Sequence, residues 1–289
     1  MTLDQLRIFV AVAEREHLTQ AAEALHLTPS AVSAAVRNLE ERHDIHLFHR
    51  VGRRIELTET GRVFLGEARA TLARAEEAEH VLAELGGLQR GSLRVHASQT
   101  VGSYWLPARL MRFRERYPAV HIRLDIGNTE TVARAVREAE ADVGFVEGFV
   151  DDPVLSTRTV AEDRVSVVVP SGHEWSWRTP GWAGLMQGRW VLREAGSGTR
   201  AVFEAALRGQ GLDPSQLDVA MELPSNESMR SALLAGSFAT AISESAIEGL
   251  MRAGVLVRTG PALPPRAFSL VHHKERFRSR AVQALEALL

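Results

Sequence analysis

The chain has 289 residues, of which 45% are hydrophobic and 24% are charged, as in a globular protein long enough for two or three domains. It contains no cysteine, which excludes disulfides, thiol catalysis and cysteine-ligated metals. The formal net charge of −2 excludes nucleic-acid binding through bulk charge, so a DNA contact must come from a local patch. No run approaches the roughly 18 apolar residues of a membrane span and the N-terminus lacks signal-peptide features, so we expect a cytoplasmic protein without a membrane partner.

The N-terminal segment reads as short helices, of which the third is the best defined. Thr28 predicts the start of this helix, because a threonine hydroxyl can accept a hydrogen bond from a free N–H group of the first turn. Pro29 follows at the first helical position, where a missing N–H costs nothing. Val32, Val36 and Leu39 recur on one face, which we predict to point into the core.

The outward face of the third helix and the segment after it predict a DNA contact. Small and hydroxyl-bearing side chains at a helix start can approach base edges and phosphates in a major groove. The next segment reads as a hairpin wing with arginines, which suit phosphates or a narrow minor groove. The predicted DNA-binding residues are Thr28, Pro29, Ser30, Ser33, Ala34 and Arg37 on the helix and Arg50, Arg53 and Arg54 on the wing.

A longer helix is predicted from residue 58 to about residue 86, because apolar residues recur there as a stripe on a charged rod. Gly86 and Gly87 predict its end, and residues 86–91 are interpreted as a linker. The stripe is too apolar to stand free in water. It packs either on its own chain or on a second subunit.

From Leu93 onward, strand patterns alternate with amphipathic helices. This alternation is typical of an α/β fold with mostly parallel sheets. The segment is about 200 residues long, which suits two small α/β lobes better than one.

A long pattern in the N-terminal segment carries a family resemblance. It reads LxxFVAVAExxxxTxAAExLxLTPSAVSxxVRNLE and continues as LFxRxxRRIxLTxxG, within residues 3–61. The pattern resembles the DNA-binding domain of the LysR-type transcriptional regulators. One departure is Pro29, which stands where many members carry glutamine and which cannot make that side-chain contact with a base.

The resemblance implies an α/β fold class with three parts. These are an N-terminal all-α winged helix-turn-helix, a long dimerisation helix and a two-lobed effector domain similar to periplasmic binding proteins. The expected domains are 1–58 for DNA binding, 59–90 for the dimerisation helix and hinge linker, and 91–289 for effector binding. Within the last domain we expect lobe I at 91–162 and 267–289 and lobe II at 163–266.

The resemblance also implies partners. Long helices of two subunits would pair antiparallel, and the resulting two-fold symmetry predicts an interrupted palindrome in double-stranded promoter DNA. Dimers of this family commonly pair again, so a homodimer and a homotetramer both stay open. RNA polymerase is a further candidate partner.

In regulators of this family the effector lies between the lobes, where helix starts follow strand ends. Free N–H groups and helix dipoles favour anions at such starts. Four loops fit this role, although each polar residue in them could equally be only a helix cap. Arg200 is the one obvious cation in these loops. The predicted effector-binding residues are Ser98, Thr100, Asn128, Thr129, Glu147, Ser197, Gly198, Thr199 and Asn226.

The segment beginning ASQTVGSYWLP resembles the branch that contains the Calvin-cycle and sulfur-metabolism regulators. This resemblance implies a small-molecule effector and no cofactor. The effector would be a small inorganic or carboxylate anion, or a phosphorylated metabolite.

Two other classes of protein fit the sequence less well than a regulator does. A solute-binding protein with an unrelated N-terminal fusion is disfavoured by the missing signal peptide and by the wing arginines. An enzyme is disfavoured because the sequence has no phosphate loop, nucleophile elbow or dinucleotide fingerprint. His43, His46 and His49 have a metal-like spacing but lack a carboxylate or cysteine partner pattern. We therefore predict a DNA-binding regulator with no catalytic residue and no metal.

Overall fold

The chain folds into two compact units, Met1–Gly86 and Gly87–Leu289. The structure is a computed structural model that describes residues 1–51, 54–85 and 91–289. Residues 52, 53 and 86–90 therefore lie outside the described part, and with them the predicted DNA contact of Arg53 and most of the predicted linker.

The first unit combines helices with one antiparallel hairpin. Thr28 Oγ1 accepts a hydrogen bond from the backbone N of Ala31 at 3.2 Å, and Pro29 is the first residue of the third helix, which confirms the predicted helix start. The described elements are α1 (Leu3–Arg15), α2 (Leu18–Ala24), α3 (Pro29–His43), β1 (Phe48–Val51), β2 (Arg54–Leu57) and α4 (Glu59–Leu85).

Apolar side chains of α1 and α3 form the centre of this unit. Phe9 is fully buried, and Val32, Val36 and Leu39 are buried on the predicted inner face of α3. The start of α4 packs closely against the segment before β1, since a Cβ on Gly61 would overlap the carbonyl oxygen of Leu47. Glycine is required there by this close approach.

The second unit contains two groups of strands, which we call lobe I and lobe II. Lobe I has a five-stranded sheet in the order β4-β3-β5-β12-β6, and lobe II has a three-stranded sheet, β10-β7-β11, and the pair β8-β9. The elements of lobe I are β3 (Gly91–Ser98), α5 (Pro107–Arg116), β4 (Val120–Gly127), α6 (Thr129–Arg137), β5 (Val143–Glu147), β6 (Leu155–Asp163), β12 (Arg266–His273) and α11 (Arg280–Glu286). Those of lobe II are β7 (Val165–Pro170), α7 (Trp182–Leu185), β8 (Arg189–Arg193), α8 (Gly198–Arg208), β9 (Asp218–Leu223), α9 (Asn226–Ala235), β10 (Thr240–Ser243), α10 (Glu244–Arg252) and β11 (Leu256–Thr259).

The sheets are mixed, so the expectation of mostly parallel sheets is wrong in this respect. β3 pairs in parallel with β4 and β5, as strand–helix alternation predicts. However, β12 is antiparallel to β5 and β6, and β7 is antiparallel to β10 and β11. β12 is antiparallel to β6 because the chain leaves lobe I through β6 and returns through β12 beside it in the opposite direction.

Each lobe has its own apolar core. In lobe I, Phe113, Phe145 and Phe268 are buried between the sheet and its helices. In lobe II, the rings of Trp190 and Phe203 lie 4.6 Å apart between centroids and are fully buried. These cores hold the ends of β3, β5 and β8 in fixed positions, and the candidate site is built on those ends.

Candidate functional site

The outer face of α3 is accessible as the DNA-contact prediction requires. Pro29, Ser30, Ala34 and Arg37 are exposed and Ser33 is half-buried. Arg37 has no hydrogen-bond or ion-pair partner among the residues that the structure describes. Its guanidinium is therefore available to a phosphate.

The hairpin after α3 has the register of a wing. Arg50 of β1 pairs with Ile55 of β2, and Val51 pairs with Arg54. Two of the three predicted wing arginines thus belong to its paired strands. Glu40 of α3 anchors the hairpin base, because its Oε1 accepts a hydrogen bond from the backbone N of Leu47 at 2.7 Å.

Five of the predicted effector-binding residues meet in a closed group between the lobes, which we call the inter-lobe cluster. Ser98 donates a hydrogen bond to the carboxylate of Glu147, and Asn226 Nδ2 donates to Thr100 Oγ1 at 3.3 Å. Thr199 is also fully buried. The cluster members are Ser98, Thr100, Glu147, Thr199 and Asn226.

Sequence reasoning missed Arg266, which supplies a cation to the inter-lobe cluster. Its Nε and Nη2 donate to Asp163 Oδ2 at 2.8 and 2.7 Å, and its Nη1 donates to Thr199 Oγ1 at 2.9 Å. Nη1 also lies 3.8 Å from Glu147 Oε1. Asp163 ends β6 and Arg266 begins β12, so this salt bridge joins the two points where the chain crosses between the lobes.

Arg193, at the end of β8, is a second buried cation that sequence reasoning missed. It forms a bidentate ion pair with Glu194 at 2.7 and 2.9 Å, and its Nη1 lies 3.3 Å from Asn226 Oδ1. Gln99 of lobe I completes the contact, because its Oε1 accepts a hydrogen bond from the backbone N of Asn226 at 2.8 Å. The start of α9 is therefore already occupied by a side chain of the other lobe.

Burial controls the charge of Glu147. Desolvation raises the pKa of this carboxyl group, and the opposite charge of Arg266 is the largest influence that lowers it. The carboxylate is enclosed by Ser98 and Arg266, and it partly balances the charge of this buried guanidinium.

Three other predicted residues, Thr129, Ser197 and Gly198, line an open cavity of about 740 Å³. The cavity lies between the start of α6, the loop after β5 and the start of α8, and we call it the α6–α8 cavity. Asn128 supports its wall, because its side chain caps α6 at the N of Thr131 and donates to Glu194 at 3.3 Å. The nine predicted residues thus divide into a closed cluster and an adjoining cavity.

Ser197 has a buried hydroxyl beside this cavity that makes no hydrogen bond to the described residues. It is 2% exposed, and its hydroxyl oxygen has no hydrogen-bond partner among the described residues. Asn128 and Ser225 cap α6 and α9, whereas α8 has no side-chain cap. The first N–H groups of α8 are therefore without a side-chain acceptor beside an unused hydroxyl, and this is a favourable environment for an anionic group.

The described residues show neither a metal site nor a membrane-spanning helix. They contain no group of three histidine, cysteine, aspartate or glutamate side chains that could hold a metal ion. No helix among them combines the length and apolar character needed to cross a membrane.

Family comparisons match nearly the whole chain. Residues 3–62 match the family described as "Bacterial regulatory helix-turn-helix protein, lysR family", and residues 86–289 match the "LysR substrate binding domain". The chain is 33% identical over 285 residues to the uncharacterized HTH-type transcriptional regulator YeiE of Escherichia coli K12, covering 98% of this chain and 95% of the relative. It is 32% identical to a probable RuBisCO transcriptional regulator of Cyanophora paradoxa, covering 98% and 89%.

Solved structures show the same fold at lower identity. Full-length CbnR in complex with its target DNA is 21% identical, with a TM-score of 0.69 and full coverage of both chains. The regulatory domain of CcmR from Synechocystis PCC6803, in complex with 2-PG, is 22% identical, with a TM-score of 0.62 over 69% of this chain and 96% of that domain.

Proposed function

Because the chain belongs to the LysR family of transcriptional regulators, we propose that it binds promoter DNA through α3 and the wing under the control of an anionic effector. The family and the named relatives are regulators and not enzymes. A protein that acts on promoter DNA works beside the chromosome, so we place it in the cytoplasm.

We assign the DNA-binding role to residues 1–58, the dimerisation role to 59–90 and the effector role to 91–289. Within the last range, lobe I comprises 91–162 and 267–289 and lobe II comprises 163–266. Similarity to a regulator solved with its target DNA supports the first assignment, and similarity to a regulatory domain solved with 2-PG supports the third. The long α4 is the proposed contact between two subunits.

The proposed effector site is the α6–α8 cavity and the inter-lobe cluster behind it. The observation that carries this proposal is the buried, unpartnered hydroxyl of Ser197 at the uncapped start of α8. Thr129, Ser197 and Gly198 contact the effector first. Ser98, Thr100 and Asn226 are fully buried and do not line the cavity, so they become accessible only if the lobes separate.

Calorimetry on the full-length protein tests the site with inorganic phosphate, sulfate and 2-PG as probes. Replacing Ser197 by Ala should weaken the binding of the probe that binds best by about tenfold, because a hydrogen bond to a charged group is lost. Ser231→Ala, on the exposed face of α9, is the matched control and should bind as the wild type does. Equal affinities in the two variants would refute the assignment of this site.

A further inference from the structure

Most charged side chains around the α6–α8 cavity already pair with one another. Arg137 lies 3.2 Å from Asp152, and Arg200 lies 2.7 Å from Glu204 and 2.6 Å from Glu222. These pairs neutralise much of the charge on the cavity wall. They leave a small set of charges that a ligand could meet.

The charges that remain have both signs. Arg134, Glu130 and Asp151 line the cavity, and the described residues provide no hydrogen bond or ion pair to any of the three side chains. Arg134 and Glu130 lie one turn apart on α6. The cavity is therefore not a simple basic pocket, and an anion alone would meet uncompensated carboxylates.

The carboxylate of Glu130 lies beside the start of α8. A Cβ placed on Gly196 would be 2.6 Å from Glu130 Oε2, so this oxygen lies against the residue that precedes Ser197. The Glu130 carboxylate repels any anion held by the Ser197 hydroxyl and the N–H groups of α8. A ligand that also carries a positive charge next to its anionic group removes this repulsion.

The cavity lining also includes apolar side chains. Phe149 follows β5 and is 85% exposed although it lines the cavity. Val150, Ala133 and Ala201 lie on the same lining. An aromatic ring left in water beside a polar recess provides a surface for the apolar part of a ligand.

From this arrangement we infer that the effector is a free α-amino acid with an apolar side chain. This inference rests on the proposed effector site and replaces the simple anion with a zwitterion, whose carboxylate is the anionic group that the site binds. The carboxylate binds at Ser197 and the start of α8, the ammonium group binds Glu130, and the side chain packs against Phe149. An α-amino acid carries its two charges on adjacent positions, and this suits a Glu130 carboxylate that lies against Gly196, the residue before Ser197.

Calorimetry on the full-length protein with matched ligands tests the inference. L-phenylalanine is compared with 3-phenylpropionate, which lacks the ammonium group, with 2-phenylethylamine, which lacks the carboxylate, and with glycine, which lacks the side chain. We expect L-phenylalanine to bind at least about tenfold more tightly than each analogue, since each loses one charged or apolar contact. Affinity of 3-phenylpropionate or glycine equal to that of L-phenylalanine would overturn the inference.

A variant then locates the ammonium contact. Glu130→Gln should lower the affinity for L-phenylalanine about tenfold and leave that for 3-phenylpropionate equal or higher. Glu115→Gln, at an exposed position of α5, is the matched control and should change neither affinity. An unchanged preference for L-phenylalanine in Glu130→Gln overturns the inference.

The same titrations separate this inference from the proposed site. If simple anions bind in a manner that depends on Ser197 while L-phenylalanine has no advantage, the amino-acid inference fails and the anion site stands. If no ligand depends on Ser197, both fail.

Discussion

At the scale of single residues, Glu147 and Asp163 are two buried carboxylates that share the guanidinium of Arg266. Asp163 makes the closer pair, at 2.7 Å, and Glu147 lies 3.8 Å from the same guanidinium. Glu147 therefore receives the weaker compensation for its burial, which agrees with the raised pKa of its carboxyl group.

A raised pKa at Glu147 makes stability depend on pH. The folded state binds this proton more tightly than the unfolded state, whose pKa is near the ordinary value of 4.5, so the free energy of unfolding falls as pH rises above that value. Glu147→Gln removes the carboxyl group that titrates. The free energy of unfolding of this variant should therefore increase relative to that of the wild type as pH rises. Urea unfolding of both proteins between about pH 4.5 and pH 8 measures the difference. Parallel pH profiles would show that Glu147 has an ordinary pKa.

The site residues that could be predicted are those with a local signal. Ser197 and Asn128 stand directly before helices, and a polar residue at a helix start is visible in sequence. Arg193 and Arg266 lie within strands, and the partner of Arg266, Asp163, is 103 residues away. Nothing local marks such arginines as buried, because their burial depends on the packing of two lobes.

At the scale of elements, the start of α8 in lobe II packs directly on the end of β5 in lobe I. A Cβ on Gly198 would overlap the carbonyl oxygen of Glu147 and lie 2.7 Å from Thr129 Oγ1. Glycine thus permits the contact between the lobes. Gly198 has an ordinary backbone conformation, so glycine is needed here because a larger side chain has no space.

Gly198→Ala should destabilise the protein by about 1–3 kcal/mol, because the added methyl group forces the backbones of α8 and β5 apart. Gly66→Ala is the matched control, since Gly66 lies in α4 with no atom within 4 Å of an added Cβ. That variant should be more stable than the wild type by about 0.5–1 kcal/mol, as for alanine in a helix interior. Urea unfolding measures the free energy of unfolding of both variants and of the wild type. An unchanged free energy in Gly198→Ala would show that the lobes shift freely at this contact.

The predictions that rest on neighbouring residues agree best with the structure. The start of α3 follows from Thr28 and Pro29 alone, and the structure confirms it. The antiparallel direction of β12 was not predictable from strand–helix alternation, because it depends on where a distant strand returns to the sheet. Local sequence patterns thus identify most helices and strands. The direction in which the crossing strands pair can be seen only in the folded structure.

At the scale of the whole molecule, DNA binding must be local, because the chain carries a net charge of −2. Arg37 is exposed and has no partner in the described part of the chain, so it is the residue of α3 best suited to a phosphate. Arg37→Ala should make the slope of log K against log salt shallower by about 0.9 per lost contact, or about 1.8 for a dimer. Arg112→Ala, exposed in α5 of the second unit, is the control. Titration of a promoter fragment at several salt concentrations measures both slopes, and equal slopes would remove Arg37 from the interface.

The pairing of Asp163 with Arg266 has a mechanical consequence. The two chain crossings are neighbouring antiparallel strands, with one register shift between Phe268 and Ser269, and a salt bridge joins them where they leave lobe I. We expect a rotation of one lobe against the other about these crossings to be the motion that the pair of strands permits most readily. Arg266 also holds Thr199, which is two residues from Ser197. A ligand that contacts Thr129 of lobe I and Ser197 of lobe II would favour one angle between the lobes through its contacts with both. We expect the angle between the lobes to be the quantity that such a ligand changes.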